Sequence, residues 1–358
     1  MKKLVLFLPF FAFSLILCAQ DITVPQTNKP LVVKYTASWC PYCGTWGWTL
    51  FENLIADNSG DALLVAAHYS GNYQNPTALA WYGNDNVISQ PVFFVNNENQ
   101  GALSGNIATV RDAVRQKVQQ INGQAPVVQA GLKAQVDDTY TVEIETKARF
   151  FQDTNGEYYL GVYLVEKSYV GYQASLGDNA QHKELLRLSA TPGSFGELIA
   201  NGNITAGTEV EQSFTLTGAQ MQLAGILDLD DLYNGDIEIA TVIWKKDGAK
   251  YGAVNTNSTV VSIVSATKEE PDAVSRFNVL PNLISQQATV QLELAQALPM
   301  ARLALYSLDG ALLRSIYQGQ LPEGVNNFTL DRGNLPGGIY FLQLASGNDV
   351  VSRKVIFR

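Results

Sequence analysis

Histidine and cysteine are nearly missing from this chain, with two histidines and three cysteines among 358 residues. His68 closes an apolar run, and no second histidine or further cysteine lies near it in sequence. Without that spacing no metal site is expected, and no cofactor. A histidine there reads either as a thiolate-tuning or ligand-binding group or as a hydrogen-bonded structural one. Basic clusters are missing too. Twenty-four Lys and Arg face 33 Asp and Glu, for a net charge of −9, so nucleic acid is not an expected partner. Charge is sparse overall, at 16% against 46% hydrophobic residues, which excludes a disordered chain. The apolar run at residues 4–17 is too short to span a membrane.

What that run does resemble is an export signal. Lys2 and Lys3 precede it, and Leu17-Cys18-Ala19-Gln20 offers a small-residue cleavage point, giving a signal peptide over residues 1–19. A lipoprotein cysteine wants a small residue before it, and Leu17 stands before Cys18. Cleavage removes Cys18 and leaves Cys40 and Cys43. Oxidising compartments permit disulfides, but a pair two residues apart closes too small a loop to staple a fold.

Trp39-Cys40-Pro41-Tyr42-Cys43 therefore carries the visible chemistry. It lies between an apolar strand-like run, residues 31–36, and a helical pattern over residues 45–56. Unpaired N–H groups and the helix dipole at such a position favour a thiolate, the form that attacks disulfides. The competing reading is an inert local disulfide. After a polar lead-in at 21–29 and the first helix come a strand at 62–68 and a helix at 75–81 with Pro76 in its first turn. Gln90-Pro91 then opens the apolar strand 92–95, and an edge strand is expected over 100–104. Ile107, Val110, Val114, Val118 and Ile121 recur at helical spacing. This order implies an α/β layer fold.

Thr36-Ala37-Ser38-Trp39-Cys40-Pro41-Tyr42-Cys43 with Gln90-Pro91 resembles the active-site and cis-proline segments of thioredoxin-like proteins, over residues 28–123. The resemblance implies that Cys40 is the exposed attacking thiol and Cys43 the buried resolving one. It makes Pro91 a cis proline touching substrate, with Trp39 and Tyr42 beside it. The competing reading of Pro91 is an ordinary trans proline opening a strand. Two positions depart from the pattern. Lys34 replaces the buried acid that helps move the resolving thiol's proton, and Trp48 replaces the helix-kinking proline. Lys34 either lowers a thiol pKa or reaches solvent along its stem, and the second reading is preferred. Trp46, Trp48, Tyr69, Tyr73, Trp81 and Tyr82 add to an aromatic-rich segment that packs a core or lines a groove.

Residues 124–130 read as a linker, and residues 131–265 alternate as a β-sandwich does, at 140–145, 158–166, 236–244 and 259–264. Leu164-Val165-Glu166, Gln173, the run 181–187 and Gly196 resemble the twenty-eight-kilodalton outer-membrane-protein-related family, which couples a thioredoxin-like region to this β region. Glu166, His182 and Arg187 suggest a polar constellation, with an Arg–carboxylate brace as the simpler reading. The acidic stretch Asp228, Asp230, Asp231 and Asp236 has Leu232 and Tyr233 where a calcium loop needs a ligand and a glycine, so a solvated loop is expected.

A second linker spans 265–276. Strand-like runs follow at 289–294, 302–306, 312–317, 327–330, 339–344 and 350–357. Pro281-Asn282, Leu305-Tyr306-Ser307-Leu308-Asp309-Gly310, Leu335-Pro336-Gly337-Gly338-Ile339-Tyr340 and Arg353-Lys354-Val355-Ile356-Phe357-Arg358 resemble a type IX secretion C-terminal sorting domain over residues 277–358. That resemblance implies export by the type IX machinery to the outer-membrane surface or the medium. The expected chain is thus multidomain: an α/β thioredoxin-like domain, an all-β sandwich domain and a C-terminal all-β sandwich. Its expected role is thiol–disulfide exchange on protein disulfide substrates. The alternative is a non-catalytic surface binding or structural protein with an idle disulfide.

Overall fold

The computed structural model describes residues 22–137, 139–226, 229, 231–263, 273–281, 283–307, 311–347 and 349–358. The signal peptide with Cys18, Asp228, Asp230, most of the second linker, Asn282 and the 308–310 turn lie outside the described residues. The protein is multidomain and mostly β, dividing into two compact units at residues 264 and 265.

The first unit opens with β1 (Leu31–Ala37), α1 (Trp46–Asn58), β2 (Leu63–Ser70), α2 (Pro76–Asn84), β3 (Val92–Val95), β4 (Glu98–Asn99) and α3 (Ile107–Asn122). These four strands run in the order β2-β1-β3-β4, with β1 and β2 parallel and β3 antiparallel to β1. Every residue of β1 is buried, as suits a strand covered on both faces. Asn75 caps α2 by accepting from the Ala78 N–H at 2.8 Å, and Pro76 occupies its first turn. The expected edge strand at 100–104 is not formed. Asn96 and Asn97 adopt positive φ (43° and 69°) and turn the chain at once into β4. Their side chains tolerate this conformation, so the hairpin closes early.

Next come β5 (Val128–Val136), β6 (Val142–Phe150), β7 (Thr154–Asn155), β8 (Glu157–Gln173), β9 (Gly177–Ser189), β10 (Glu197–Ala200), β11 (Asn203–Ile204) and β12 (Glu209–Leu216). Short helices α4 (Gly218–Leu223) and α5 (Asp231–Asn234) precede β13 (Ile237–Asp247), β14 (Lys250–Val260) and β15 (Ser262–Ile263). One sheet, ordered β14-β13-β8-β9-β2-β1-β3-β4, runs through the whole unit, and β12-β6-β5-β15 forms a second sheet. Strands β8 and β13 have two buried faces. Leu160, Val162, Leu164, Ile237, Ile239 and Ile243 point into a core shared with β5 and β6. Tyr163, Val165, Ala240, Val242 and Trp244 point the other way, into a core with β1, β2 and Trp81 of α2.

That second core joins the segment before residue 123 to the segment after it. Trp81 lies 4.9 Å from Tyr163 and 5.2 Å from Trp244, ring to ring, and its indole N–H donates to Ser194 O at 2.8 Å. The supposed linker at 124–130 is also ordered structure. Val128 begins β5 with no exposure, and Gln129, 1% exposed, donates to Thr27 O and Thr256 O. Buried Asn255 donates to Thr27 O and Val128 O and accepts from the Lys29 N–H, so the polar lead-in is bonded in as well. Polar residues mark a linker when they face water. Here they satisfy buried backbone groups, which must be paired.

The second unit holds β16 (Val274–Leu280), β17 (Leu283–Ile284), β18 (Gln287–Leu294), β19 (Leu298–Tyr306), β20 (Leu312–Leu321), β21 (Gly324–Asp331), β22 (Gly338–Ser346) and β23 (Asp349–Phe357). They form sheets β16-β18-β21 and β17-β23-β22-β19-β20 around one core that includes Phe277, Leu292, Leu303, Leu342 and Phe357. Each of the six expected strands is present.

Trp81 is 1% exposed at the joint of the first unit. Trp81→Ala is expected to lower that unit's unfolding free energy by about 3–5 kcal/mol, read by chemical denaturation. A loss under about 1 kcal/mol would mean that the two segments do not depend on a common core.

Candidate functional site

The cysteine pair sits on the turn between β1 and α1. Cys40 and Cys43 are joined by a disulfide, with Cα atoms 5.2 Å apart. The Cys43 N–H donates to Cys40 Sγ at 3.1 Å, and the Gly44 N–H donates to Pro41 O at 3.1 Å. Regular helix begins only at Trp46, so the pair occupies the turn leading into α1. The Gln90-Pro91 bond is cis, and Gln90 O lies 3.9 Å from Cys40 Sγ. Pro91 lies against the start of α1: a Cβ on Gly47 would come within 2.5 Å of Pro91 Cγ. Glycine at 47 is what lets the proline loop and the helix close on each other.

Trp39 and Tyr42 flank the pair and are 50% and 67% exposed. The Trp39 indole N–H donates to Ser70 Oγ at 3.2 Å. Tyr69 packs against Ala37, Cys40 and Cys43, and its hydroxyl donates to Gln90 Oε1 at 2.7 Å. The structure thus brings Cys40, Cys43 and Pro91 together, with Trp39 and Tyr42 on the same turn.

The expectation of an exposed Cys40 is not met, because both cysteines are buried, at 2% and 0% exposure. Tyr69 packs against both, and the tip of the β8–β9 hairpin is bonded to the turn that holds them. Buried Gln173 donates through Nε2 to Cys40 O at 3.0 Å and to Ala37 O at 3.3 Å. The Ala174 N–H donates to Ser38 O at 2.8 Å, and Ser175 Oγ donates to Pro41 O at 3.3 Å. The contact is tight enough that a Cβ on Gly44 would lie 2.0 Å from Ala174 O.

Lys34 also departs from the expectation. Its stem does not lead to water: the residue is 3% exposed, and Nζ donates to Cys43 O at 3.3 Å. Nζ lies 5.2 Å from the Trp48 ring centroid and 5.5 Å from that of Phe51. Burial brings its pKa down to about 7, with Glu52 pulling the other way. The register pairs Lys34 with Ala66 and Thr36 with His68, so Lys34, Thr36 and His68 share one sheet face. Thr36 Oγ1 and His68 Nδ1 are buried there without a hydrogen-bond partner among the described residues.

The two histidines of the chain meet at this place. His68 and His182 are 1% and 2% exposed, and their ring centroids are 5.3 Å apart. His182 Nε2 faces Tyr172 O at 3.3 Å, and its ring touches Trp48 and Tyr73. Burial keeps His68 far below the usual histidine range and His182 near about 4, so both are neutral at pH 7. His182 takes no part in bonding Glu166 to Arg187. Those two form the simpler brace: Arg187 Nε and Nη2 each lie 2.5 Å from Glu166 Oε2 in a buried pair between β8 and β9. Among the described residues no group of three His, Cys, Asp or Glu is arranged to hold a metal.

Residues 278–358 match the secretion system C-terminal sorting domain family, which marks the chain for export across the outer membrane to the cell surface or the medium. No curated protein matches the chain by sequence. Among solved structures, HBP35 of Porphyromonas gingivalis superposes with a TM-score of 0.56 at 12% identity, over 93% of this chain and 99% of that one. A domain of the outer membrane lipoprotein Omp28 from the same organism aligns over 38% of this chain and 90% of its own, with 14% identity and a TM-score of 0.26. The first likeness supports a common fold. Among the described residues no helix is long and apolar enough to cross a membrane.

Gly44→Ala is expected to push the β8–β9 hairpin off the turn. Alkylation of the reduced protein at Cys40 should speed up severalfold, with about 1–3 kcal/mol of stability lost. An unchanged alkylation rate would show that the hairpin does not limit access to the sulfur.

Proposed function

We propose that this chain is an exported, surface-directed thiol–disulfide exchange protein with a thioredoxin-like active segment. Cys40 attacks a partner's disulfide or is attacked by a partner's thiolate, and Cys43 resolves the mixed disulfide. Pro91, Trp39 and Tyr42 contact the partner polypeptide. The observation that carries the reading is the Cys40–Cys43 disulfide beside a cis Gln90-Pro91 bond, with Cys40 Sγ 3.9 Å from Gln90 O. The strand order β2-β1-β3-β4, with helices after β1, β2 and β4, supports a thioredoxin-like arrangement of residues 28–123. Two exposed aromatics beside a buried sulfur suit a surface that takes an extended apolar segment.

One observation favours the alternative, a non-catalytic surface binding or structural protein. Cys40 is 2% exposed in the disulfide form, and the β8–β9 hairpin is bonded to the turn that holds it. Exchange therefore requires the hairpin or the turn to give way locally, a small opening of the kind loop tips undergo.

Cysteine variants separate the two readings. Cys40→Ser should abolish exchange with a model protein disulfide, and Cys43→Ser should accumulate a mixed disulfide through Cys40. Wild-type protein that neither reduces nor oxidises a model substrate, with both variants equally silent, would leave the idle disulfide as the correct account.

A further inference from the structure

Resting on the exchange reading, we propose that the tip of the β8–β9 hairpin is a second wall of the partner-binding surface, on which Tyr172 and Leu176 select a polypeptide with an apolar residue beside its reacting cysteine. Both residues lie outside the segment that carries the cysteines. The tip is nevertheless fixed to that segment, by the bonds from Gln173 to Cys40 O, from Ala174 to Ser38 O and from Ser175 to Pro41 O. Tyr172 O accepts from the Tyr73 hydroxyl at 3.0 Å, and the Leu176 N–H donates to Gln173 O at 3.0 Å, so the residues flanking these bonds are held as well. Ser175 adopts φ 74°, a left-handed conformation that a residue other than glycine keeps only where its surroundings impose it.

At this end of β8 the side chains alternate. Gln173 is buried, while Val170 and Tyr172 are 59% and 41% exposed, and Leu176, just past the end of the strand, is 46% exposed. The solvent side of a hairpin is ordinarily polar. On the return strand it is, because the exposed side chains at this end of β9 are those of Asp178, Asn179 and Gln181. On the β8 side it is not. A single exposed leucine carries no information, but a group of large apolar side chains marks an interaction surface. Here three of them stand on the segment bonded to the turn that exposes Trp39 and Tyr42.

The occupant is the polypeptide that exchanges with Cys40. The Cys40 thiolate attacks one sulfur of the partner disulfide. The bond from Cys40 to the partner forms as the partner's own S–S bond breaks, and the second partner sulfur leaves as a thiolate. In that mixed disulfide the partner's cysteine has its Cα about 4.4–6.8 Å from that of Cys40. An extended chain advances about 3.3 Å per residue, so the residues next to the partner's cysteine pass directly over the rim of the site. Gln173 bonds Cys40 O itself, so a chain leaving on that side meets Tyr172 and Leu176.

The test uses two disulfide-linked peptide dimers that differ only beside the cysteine, with leucine in one and serine in the other. The reduced wild-type protein should favour the leucine peptide at least about tenfold in kcat/KM. Leu176→Asp should lower that preference at least about fivefold, through KM rather than kcat, because the contact lies away from the reacting sulfurs. Tyr172→Ser should act in the same direction, and Leu176→Met should keep most of the preference. An unchanged preference, or an equal loss with both peptides, would overturn the proposal. So would a protein dimer that Leu176→Asp dissociates while the preference stays the same, since the surface would then belong to a second copy of the chain. A wild-type protein that exchanges with neither peptide would instead defeat the functional reading. The surface is then decided by binding of the leucine peptide with serine in place of its cysteine. Weaker binding to the Leu176→Asp protein upholds it, and equal binding overturns it.

Discussion

The site depends on how the carbonyl groups of the cysteine turn find donors. Its sulfurs are buried while Trp39 and Tyr42 stay exposed, and most of its carbonyls are bonded within the protein. Ala37 O and Cys40 O take the two N–H groups of the Gln173 amide, Ser38 O takes the Ala174 N–H, Pro41 O takes Ser175 Oγ and the Gly44 N–H, and Cys43 O takes Lys34 Nζ. Three of these donors come from one hairpin tip more than a hundred residues away in sequence. The β segment is in this sense part of the cysteine site.

The same constraint accounts for the shared core. To bring the hairpin tip over the turn, β9 must lie beside β2, and it does so with a single ladder pair, Ala66 with Leu185. One bridge cannot hold two sheets in register. The work falls to Trp81, Tyr163 and Trp244 on one face, and to Asn255 and Gln129 tying the lead-in to β5 and β14. A burial of that kind is worth several kcal/mol. It fixes the hairpin tip against Cys40 better than the few hydrogen bonds at the tip could alone.

Local signals in the sequence were sufficient for the parts of the fold that local physics determines. The strand and helix order up to residue 95, the helix over 107–122 and the six strands of the tail follow from periodicity and turn residues, while Pro91 beside the cysteines follows from the resemblance to thioredoxin-like proteins. The rest was hidden for two reasons. Strand β8 runs to Gln173, but after Glu166 its residues are half-exposed and the alternation fades, so the pattern stops seven residues short of the contact that matters. A bond from Gln173 to Cys40 has no signature in spacing. Lys34 misled differently. A lysine normally carries its charge to water, and only the tertiary cover of Trp48 and Phe51 prevents it here. A cue was present, since a lone lysine stood in an otherwise apolar central strand with no turn nearby. The two histidines, 114 positions apart, could not be seen to meet.

The central claim is that a Cys-x-x-Cys turn with buried sulfurs, bonded to the β8–β9 hairpin, is still an exchanging one. The reduction potential of the Cys40–Cys43 pair, equilibrated against glutathione, tests it most directly. A value between about −270 and −120 mV, the span of exchange proteins, is the result this account predicts. A value below about −300 mV, the range of structural disulfides, would contradict it.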